Sequence, residues 1–226
     1  MERKEEIKGA YRSLGKAHSI YDGMMTASTW LGRLICRVVW DMDREDVLEY
    51  QARVFEPIPS DFSGKLLEVP VGTGVLSVPV WKTLPDAEIT CLDYSEKMME
   101  SARERADSMN VSNISFVQGD VGALPFGDGS FDAVVSLNGF HAFPDKEAAY
   151  RETYRVLKPG GIFTGCFYVK GSDANTDRWI RGFYIKKGFF TEPFETVESL
   201  RERLEKMYSK AEVTNINSIA VFRCVK

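Results

Sequence analysis

The sequence predicts an α/β fold: a doubly wound sheet of mostly parallel strands, helices on both faces, and a helical N-terminal cap. Three observations predict it. From residue 65 onward, short apolar runs of strand length alternate with amphipathic segments of helix length, the signature of parallel strands joined by crossover helices. Before that point the chain reads as helices without strands. The 226 residues are 44% hydrophobic and 27% charged, enough for one folded core with an elaboration, and unlike a disordered or fibrous chain.

Taken in order, helices are expected over 3–19, 27–40 and 44–55, the last ended by Pro57-Ile58-Pro59. Strands are expected over 65–69, 88–93, 114–118, 131–137 and 161–169, with 211–217 and 218–225 as a closing hairpin. A helix over 95–108 opens with a Ser cap followed by Glu96. A helix over 146–157 stops at Lys158-Pro159-Gly160-Gly161. Between the fifth strand and the hairpin lies an irregular insert, rich in aromatic and basic residues, and then a helix over 196–208. This divides the chain into a cap, 1–62, and a main domain, 63–226, with an insert at 171–193.

Charge narrows the partners. Twenty-nine Lys and Arg against 33 Asp and Glu leave a net charge of −4, so no overall field draws the chain to nucleic acid. Cys36, Cys91, Cys166 and Cys224 form no C-x-x-C and have no His at ligand spacing, which argues against a metal site or a redox dithiol. Met1 is followed by Glu-Arg-Lys-Glu-Glu rather than an apolar stretch, so the expected location is the cytoplasm. The longest apolar region, 29–40, carries Arg33 and Arg37 and is too short for an integral membrane segment.

The chemistry concentrates in Leu66-Leu67-Glu68-Val69-Pro70-Val71-Gly72-Thr73-Gly74, an apolar strand running into a glycine-bearing turn. Glycine lets main chain approach a ligand with no Cβ in the way, and the N–H groups of a following helix suit a carboxylate or phosphate. A strand followed by Gly-x-Gly is also ordinary turn chemistry. Asp93 ends the second strand, where a carboxylate accepts from both hydroxyls of a ribose or caps the helix opening at Ser95. After the third strand comes Gly119-Asp120-Val121, where an Asp accepts from an adenine amino group or closes a turn. After the fourth comes Leu137-Asn138-Gly139-Phe140-His141, again at a carboxyl end, where open α/β sheets place ligands.

Together with Tyr154-Arg155-Val156-Leu157-Lys158-Pro159-Gly160-Gly161, these blocks resemble the class I S-adenosylmethionine-dependent methyltransferases from about residue 66 to 169 and, through the closing strands, to the end. The resemblance implies a seven-stranded Rossmann-like sheet whose last strand is antiparallel, with S-adenosylmethionine as cofactor across the carboxyl ends of the first four strands. Carried over by position, Glu68, Gly72 and Gly74 border its methionine part. Asp93 holds the ribose beside Tyr94, Met98 packs on the adenine, and Asp120 with Val121 brackets it. Asn138 lies near the sulfonium. The family usually has glycine where this chain has Pro70 and a small residue where it has Val71, so one N–H donor beside the cofactor is lost at Pro70. Farther upstream, Tyr11, Ala17, Tyr21 and Asp22 are spaced similarly to the opening of ubiquinone and menaquinone C-methyltransferases, which implies a cap with Tyr21 facing the cofactor. Both tyrosines also suit the packed face of an amphipathic helix.

The implied reaction is methyl transfer to a small-molecule acceptor enclosed by the cap and the insert. Displacement at a sulfonium needs alignment and exclusion of water above all, and aromatic faces suit the cationic centre. Candidate rings are Tyr21, Trp30, Phe140 and those between residues 179 and 190. His141 is the imidazole placed to act as a catalytic base where the acceptor loses a proton; otherwise it packs the pocket. In 29–40, Trp30, Leu34, Ile35 and Val38 share a face with Arg33 and Arg37 elsewhere, which suits an interfacial helix for a lipid-soluble acceptor or ordinary packing. Lys170, Arg178, Arg181, Lys186 and Lys187 outnumber Asp173 and Asp177 in the insert, which suits an anionic acceptor, a membrane surface or a solvated face. Two other readings use the same pocket. A nicotinamide dehydrogenase wants a third glycine where Ser77 stands, and a non-catalytic sensing module would bind the cofactor without consuming it. Carbon, oxygen and nitrogen acceptors, and any oligomeric state, remain open.

Overall fold

A computed structural model of the chain describes residues 18–226 together with Gly9. Most of the helix expected over 3–19, Tyr11 included, lies outside the described residues. Among the described residues, three helices precede the sheet: α1 (His18–Met25), α2 (Trp30–Trp40) and α3 (Arg44–Phe55). The helical stretch around Tyr21 thus runs past the expected end at residue 19. It stops where the Thr26 hydroxyl donates to Asp22 O at 2.7 Å and Ala27 takes a left-handed φ of 46°. α2 is opened by the Thr29 hydroxyl, which accepts from Gly32 N–H at 3.0 Å. α3 is opened by a reciprocal pair, Asp43 accepting from Asp46 N–H and Asp46 from Asp43 N–H.

The sheet has seven strands in the order β3-β2-β1-β4-β5-β7-β6. They are β1 (Lys65–Glu68), β2 (Glu88–Asp93), β3 (Ile114–Gln118), β4 (Phe131–Leu137), β5 (Leu157–Tyr168), β6 (Lys210–Ile216) and β7 (Ile219–Val225). β7 alone runs against its neighbours β5 and β6; the pairs β1–β2, β1–β4, β2–β3 and β4–β5 are parallel. Between them lie α4 (Val78–Trp81), α5 (Glu96–Ser108) and α6 (Lys146–Val156).

Two expectations needed correction. β5 starts at Leu157 rather than at residue 161, because Gly160 N–H donates to Lys226 O and Lys226 N–H to Gly161 O. Lys226 therefore draws the Pro-Gly-Gly turn residues into an irregular strand edge, and the β4–β5 register jumps from Phe131↔Leu157 to Ala133↔Ile162. The insert is not irregular: Asp173 caps α7 (Ala174–Trp179), which widens into a π-type turn over Ile180–Tyr184. Helix α8 (Val197–Met207) follows, capped by Thr196.

Alternation along the central strands sends successive residues to opposite faces. Leu66, Ala133 and Val135 pack with Trp81 and with Val47, Tyr50 and Val54 of α3. Leu67, Val134 and Phe163 pack on the other face with Tyr150 of α6 and Leu200 and Leu204 of α8. All four cysteines are buried and unpaired.

Candidate functional site

The carboxyl ends of β1, β2 and β4 open onto one cleft, which holds about 110 Å³. Every residue expected at the cofactor lines it. Glu68, Pro70, Gly72 and Gly74 come from β1 and its turn; Asp93, Tyr94 and Met98 come from β2 and the head of α5. Asp120 and Val121 follow β3, Asn138 follows β4, and Tyr21 comes from α1.

Asp93 is the organising acid. Gly72 N–H donates to its Oδ2 at 2.9 Å and Ser95 N–H to its Oδ1 at 2.8 Å. The α5 cap is Ser95, whose hydroxyl accepts from Met98 N–H at 3.4 Å. A carboxylate offers about four lone-pair sites, so these bonds orient Asp93 and leave acceptor capacity toward the cleft. Burial raises its pKa to about 6, opposed by the N–H groups of Ser95, Gly72 and Tyr94. Asp120 caps a short turn, accepting from Gly122 N–H at 2.9 Å, so the turn role and the place in the cleft coexist.

The two glycines answer to different demands. Gly72 has φ +57°, and a Cβ there would meet no protein atom within 4 Å, so a side chain would project into space the cleft needs. Gly74 has φ +66°, and its Cβ would come within 2.7 Å of Val78 Cγ2 and 3.3 Å of Ala102 Cβ. Its bareness lets the turn seat on α4 and α5. Pro70 packs directly against Gly139, where a Cβ would sit 2.4 Å from the proline Cδ. The flanking N–H groups are already committed to the sheet, Val69 to Val135 O and Val71 to Leu92 O.

Glu68 lies at the floor, fully buried. The Trp81 indole N–H donates to its Oε2 at 2.7 Å and the Cys91 thiol at 3.3 Å. The Ser77 hydroxyl is near enough to favour the charged form, yet Oε1 has no hydrogen bond of good geometry among the described residues. Burial raises the carboxyl to about 7.

Beside the cleft is a second cavity of about 360 Å³, walled by α1, α2, α3 and the π-type turn. Its lining is apolar and aromatic, including Met24, Ile35, Trp40, Tyr184 and Phe190. Tyr21, Met25 and Asn138 border both spaces. Asn138 has a left-handed φ of 53° and donates its N–H to Cys166 O at 2.8 Å, which turns the carboxamide toward the shared wall. Burial, with Asp22 and Asp93 nearby, pushes the Tyr21 hydroxyl above its ordinary pKa.

His141 also lines this second cavity, stacked on Phe190 with centroids 3.9 Å apart. Tyr168 N–H donates to its Nδ1 at 3.3 Å, and burial, with the charge of Lys146, lowers its pKa to about 3. The other expected rings divide. Phe183, Tyr184, Phe189 and Phe190 reach the cavity. Phe140 does not: it is buried on the opposite face of the sheet, 4.4 Å from the Tyr150 ring. Trp30 and Trp179 stand on the surface. Sequence reasoning missed Met25 and the Asp22–Thr73–Arg105 contact behind Tyr21; the only signal was that Asp22 adjoins Tyr21.

Known proteins resemble this chain in sequence and in fold. Residues 66–161 match the family described as Methyltransferase domain. The demethylmenaquinone methyltransferase of Thermus thermophilus is 40% identical over 97 residues, covering 43% of this chain and 44% of the relative. That of Staphylococcus aureus is 39% identical over 114 residues, 50% of this chain and 46% of the relative. The chain thus spans less than half the length of the curated relatives it matches. Among solved structures, a SAM-dependent methyltransferase from Thermotoga maritima superposes with a TM-score of 0.69 at 19% identity, covering 97% of this chain and 99% of the other. The [4+2]-cyclase SpnF superposes equally well, at 0.69 and 20% identity over 95% of both chains, so the fold alone does not select a reaction. With the sheet order and the family match taken together, residues 66–161 form a methyltransferase domain, and the chain as a whole has the Rossmann-like fold of the class I S-adenosylmethionine-dependent methyltransferases.

Proposed function

We propose that the chain transfers the methyl group of S-adenosylmethionine to a small, largely apolar acceptor held in the second cavity. The observation that carries this reading is the shared wall: Tyr21, Met25 and Asn138 border both the cleft and the cavity, so a donor in one and an acceptor in the other meet there.

The cleft suits the cofactor on three counts. Asp93 keeps acceptor sites for ribose hydroxyls, the space before Gly72 is one that a Cβ would occupy, and Glu68 Oε1 is a buried acceptor in need of a donor such as an ammonium group. In this reading Glu68, Pro70, Gly72 and Gly74 hold the methionine part, Asp93 and Tyr94 the ribose, and Met98, Asp120 and Val121 the adenine. When bound, S-adenosylmethionine supplies a methyl group on an already activated leaving group. The chain's work is then to align and to exclude water. Tyr21 and Asn138 fix the meeting point, and the aromatic walls keep the acceptor side dry.

Engaged at Nδ1 by Tyr168 N–H, a neutral His141 carries its proton on Nε2. It serves as a hydrogen-bond donor to a polar atom of the acceptor, in place of the catalytic base expected from its position. The curated relatives are named for demethylmenaquinone, and an acceptor of that kind agrees with apolar walls bearing a few polar groups.

Calorimetry with S-adenosylmethionine, S-adenosylhomocysteine and NAD tests the donor site. The sulfonium and its product should bind and NAD should not, and Asp93→Ala should weaken both by about tenfold to a hundredfold, as expected for charge-assisted bonds. NAD binding as tight as the sulfonium, or indifference to Asp93→Ala, overturns the site. A labelled-methyl assay with quinol acceptors then tests transfer; tight cofactor binding with no labelled product from any acceptor favours a sensing module instead.

A further inference from the structure

The exposed large apolar side chains of the described residues are not scattered. Except for Leu48, they fall in α1–α2 or in α7 and the turn after it. In α2, Trp30, Leu34 and Val38 recur every fourth residue and are 71%, 48% and 46% exposed, while Gly32, Cys36 and Val39 face inward. α2 is therefore apolar on two faces, one packed and one bare. Helix α7 extends the bare face. Asn175 Nδ2 donates to Val38 O and the Thr176 hydroxyl to Val39 O, each at 2.8 Å. Trp179 and Phe183, one and two turns past Asn175, are 40% and 43% exposed.

Basic residues outnumber acidic ones around this face; of the acids, exposed Asp41 closes α2 and Asp173 caps α7, accepting from Thr176 N–H at 2.6 Å. Arg33 and Arg37 lie one position before Leu34 and Val38; Arg178, Arg181, Lys186 and Lys187 lie among the exposed residues of the insert. The nearby acid Asp177 is turned inward, accepting from the Tyr168 hydroxyl at 2.7 Å and from Gly171 N–H at 3.0 Å. A chain of net charge −4 thus presents a positive, tryptophan-bearing apolar face, the composition that partitions into the interface of an anionic bilayer.

We infer that this face docks the protein on an anionic lipid surface. Two features favour lipid over an acidic protein partner. The face carries two exposed tryptophans, and it is continuous with Ile20 and Phe183, which also line the second cavity. An acceptor dissolved in the bilayer would have a direct way in. Docking follows from the surface alone; only the entry route rests on the proposed function.

Co-sedimentation of the full chain with vesicles of phosphatidylcholine, with and without phosphatidylglycerol, tests it. Binding should be at least about tenfold tighter with the anionic lipid and should weaken as salt rises. Arg33→Gln/Arg37→Gln should cost about tenfold or more, and Trp30→Ala/Leu34→Glu should abolish binding. S-adenosylhomocysteine affinity, measured in the same preparations, should stay at the wild-type value, which separates lost docking from lost folding or a lost donor site. Equal binding to neutral and anionic vesicles, or variants that bind like the wild type, overturns the inference. So does a dimer in solution that Trp30→Ala/Leu34→Glu dissociates while vesicle binding is absent, since a second copy would then be the occupant.

Discussion

Glu68, Asp93 and His141 are buried titratable groups around one site, and they pull stability in opposite directions. Burial raises Glu68 to about 7 and Asp93 to about 6. A carboxyl raised on folding keeps its proton when the unfolded chain has released it, so its contribution to stability falls as pH climbs from about 4 toward about 7. His141 is lowered to about 3 by burial and by Lys146. The unfolded chain then takes up the proton first, and stability falls as pH drops below about 6.5. The two trends overlap, so a variant must separate them. Glu68→Gln keeps an acceptor for the Trp81 N–H and removes one titration. Near pH 4.5 it should match the wild type; at pH 8 it should be more stable by up to about 3 kcal/mol, an upper bound from the shift in pKa. Urea melts at the two pH values check this, and a difference that does not change with pH refutes it. Asp93 makes a second prediction, because its charged form is the better acceptor for hydroxyls. S-adenosylhomocysteine affinity should fall by at least about tenfold between pH 7 and pH 5, a loss visible in a calorimetric pH series and about tenfold smaller in Asp93→Asn, which starts weaker and in which Glu68 still titrates.

α1 reaches the site through one acid. Asp22 Oδ1 accepts from the Thr73 hydroxyl at 2.6 Å, Oδ2 accepts from Arg105 Nη2 at 2.5 Å, and Arg105 Nε–H donates to Thr73 O at 3.1 Å. Helix α1, the glycine turn and α5 are tied at a point directly behind Tyr21. Asp22→Ala should therefore release α1 without unfolding the sheet. Amide exchange over 18–25 should speed up by about tenfold or more and S-adenosylhomocysteine should dissociate several times faster, with the main thermal transition little moved. Unchanged protection over 18–25 would remove the latch. No local pattern announces this contact, since Asp22, Thr73 and Arg105 come from three separated segments. The strands, by contrast, were legible because each is an apolar run closed by turn residues, and the cleft was legible because its acids and glycines fall at strand ends. Legibility failed where long-range bonds decide local structure. Lys226 captures Gly160 and Gly161 into β5. Asn175 and Thr176, bonded to the end of α2, hold a helix in an insert whose aromatic residues show no helical period.

Across the whole molecule, the change of character near residue 62 marks a change of pattern and not a break in the core. Val47, Tyr50 and Val54 of α3 belong to the same buried cluster as Leu66, Ala133 and Val135 of the sheet. The Thr164 hydroxyl of β5 donates to Val54 O at 2.8 Å, and the Asn217 amide of the closing hairpin donates to Asp41 O at 2.5 Å. The N-terminal helices thus seal one face of the sheet, and the second cavity exists only because they do. Such a chain should unfold in a single cooperative transition. Val54→Ala, at a fully buried position, should cost about 2–3 kcal/mol in lost burial and cavity and should lower that transition as a whole rather than split it. Fluorescence of Trp81, under the sheet, and of Trp40, beside the cavity, should report the same midpoint as circular dichroism. A chain truncated to 63–226 should fail to give a cooperative melt, because Trp81 and Val135 would lose the side chains that cover them. Saturating S-adenosylhomocysteine should raise the midpoint of the intact chain and leave the truncated one unmoved. Two separate transitions in the intact chain, or a truncated chain that melts sharply and responds to the ligand, would mean that the helices are an appended lid and that the sheet carries its own stability.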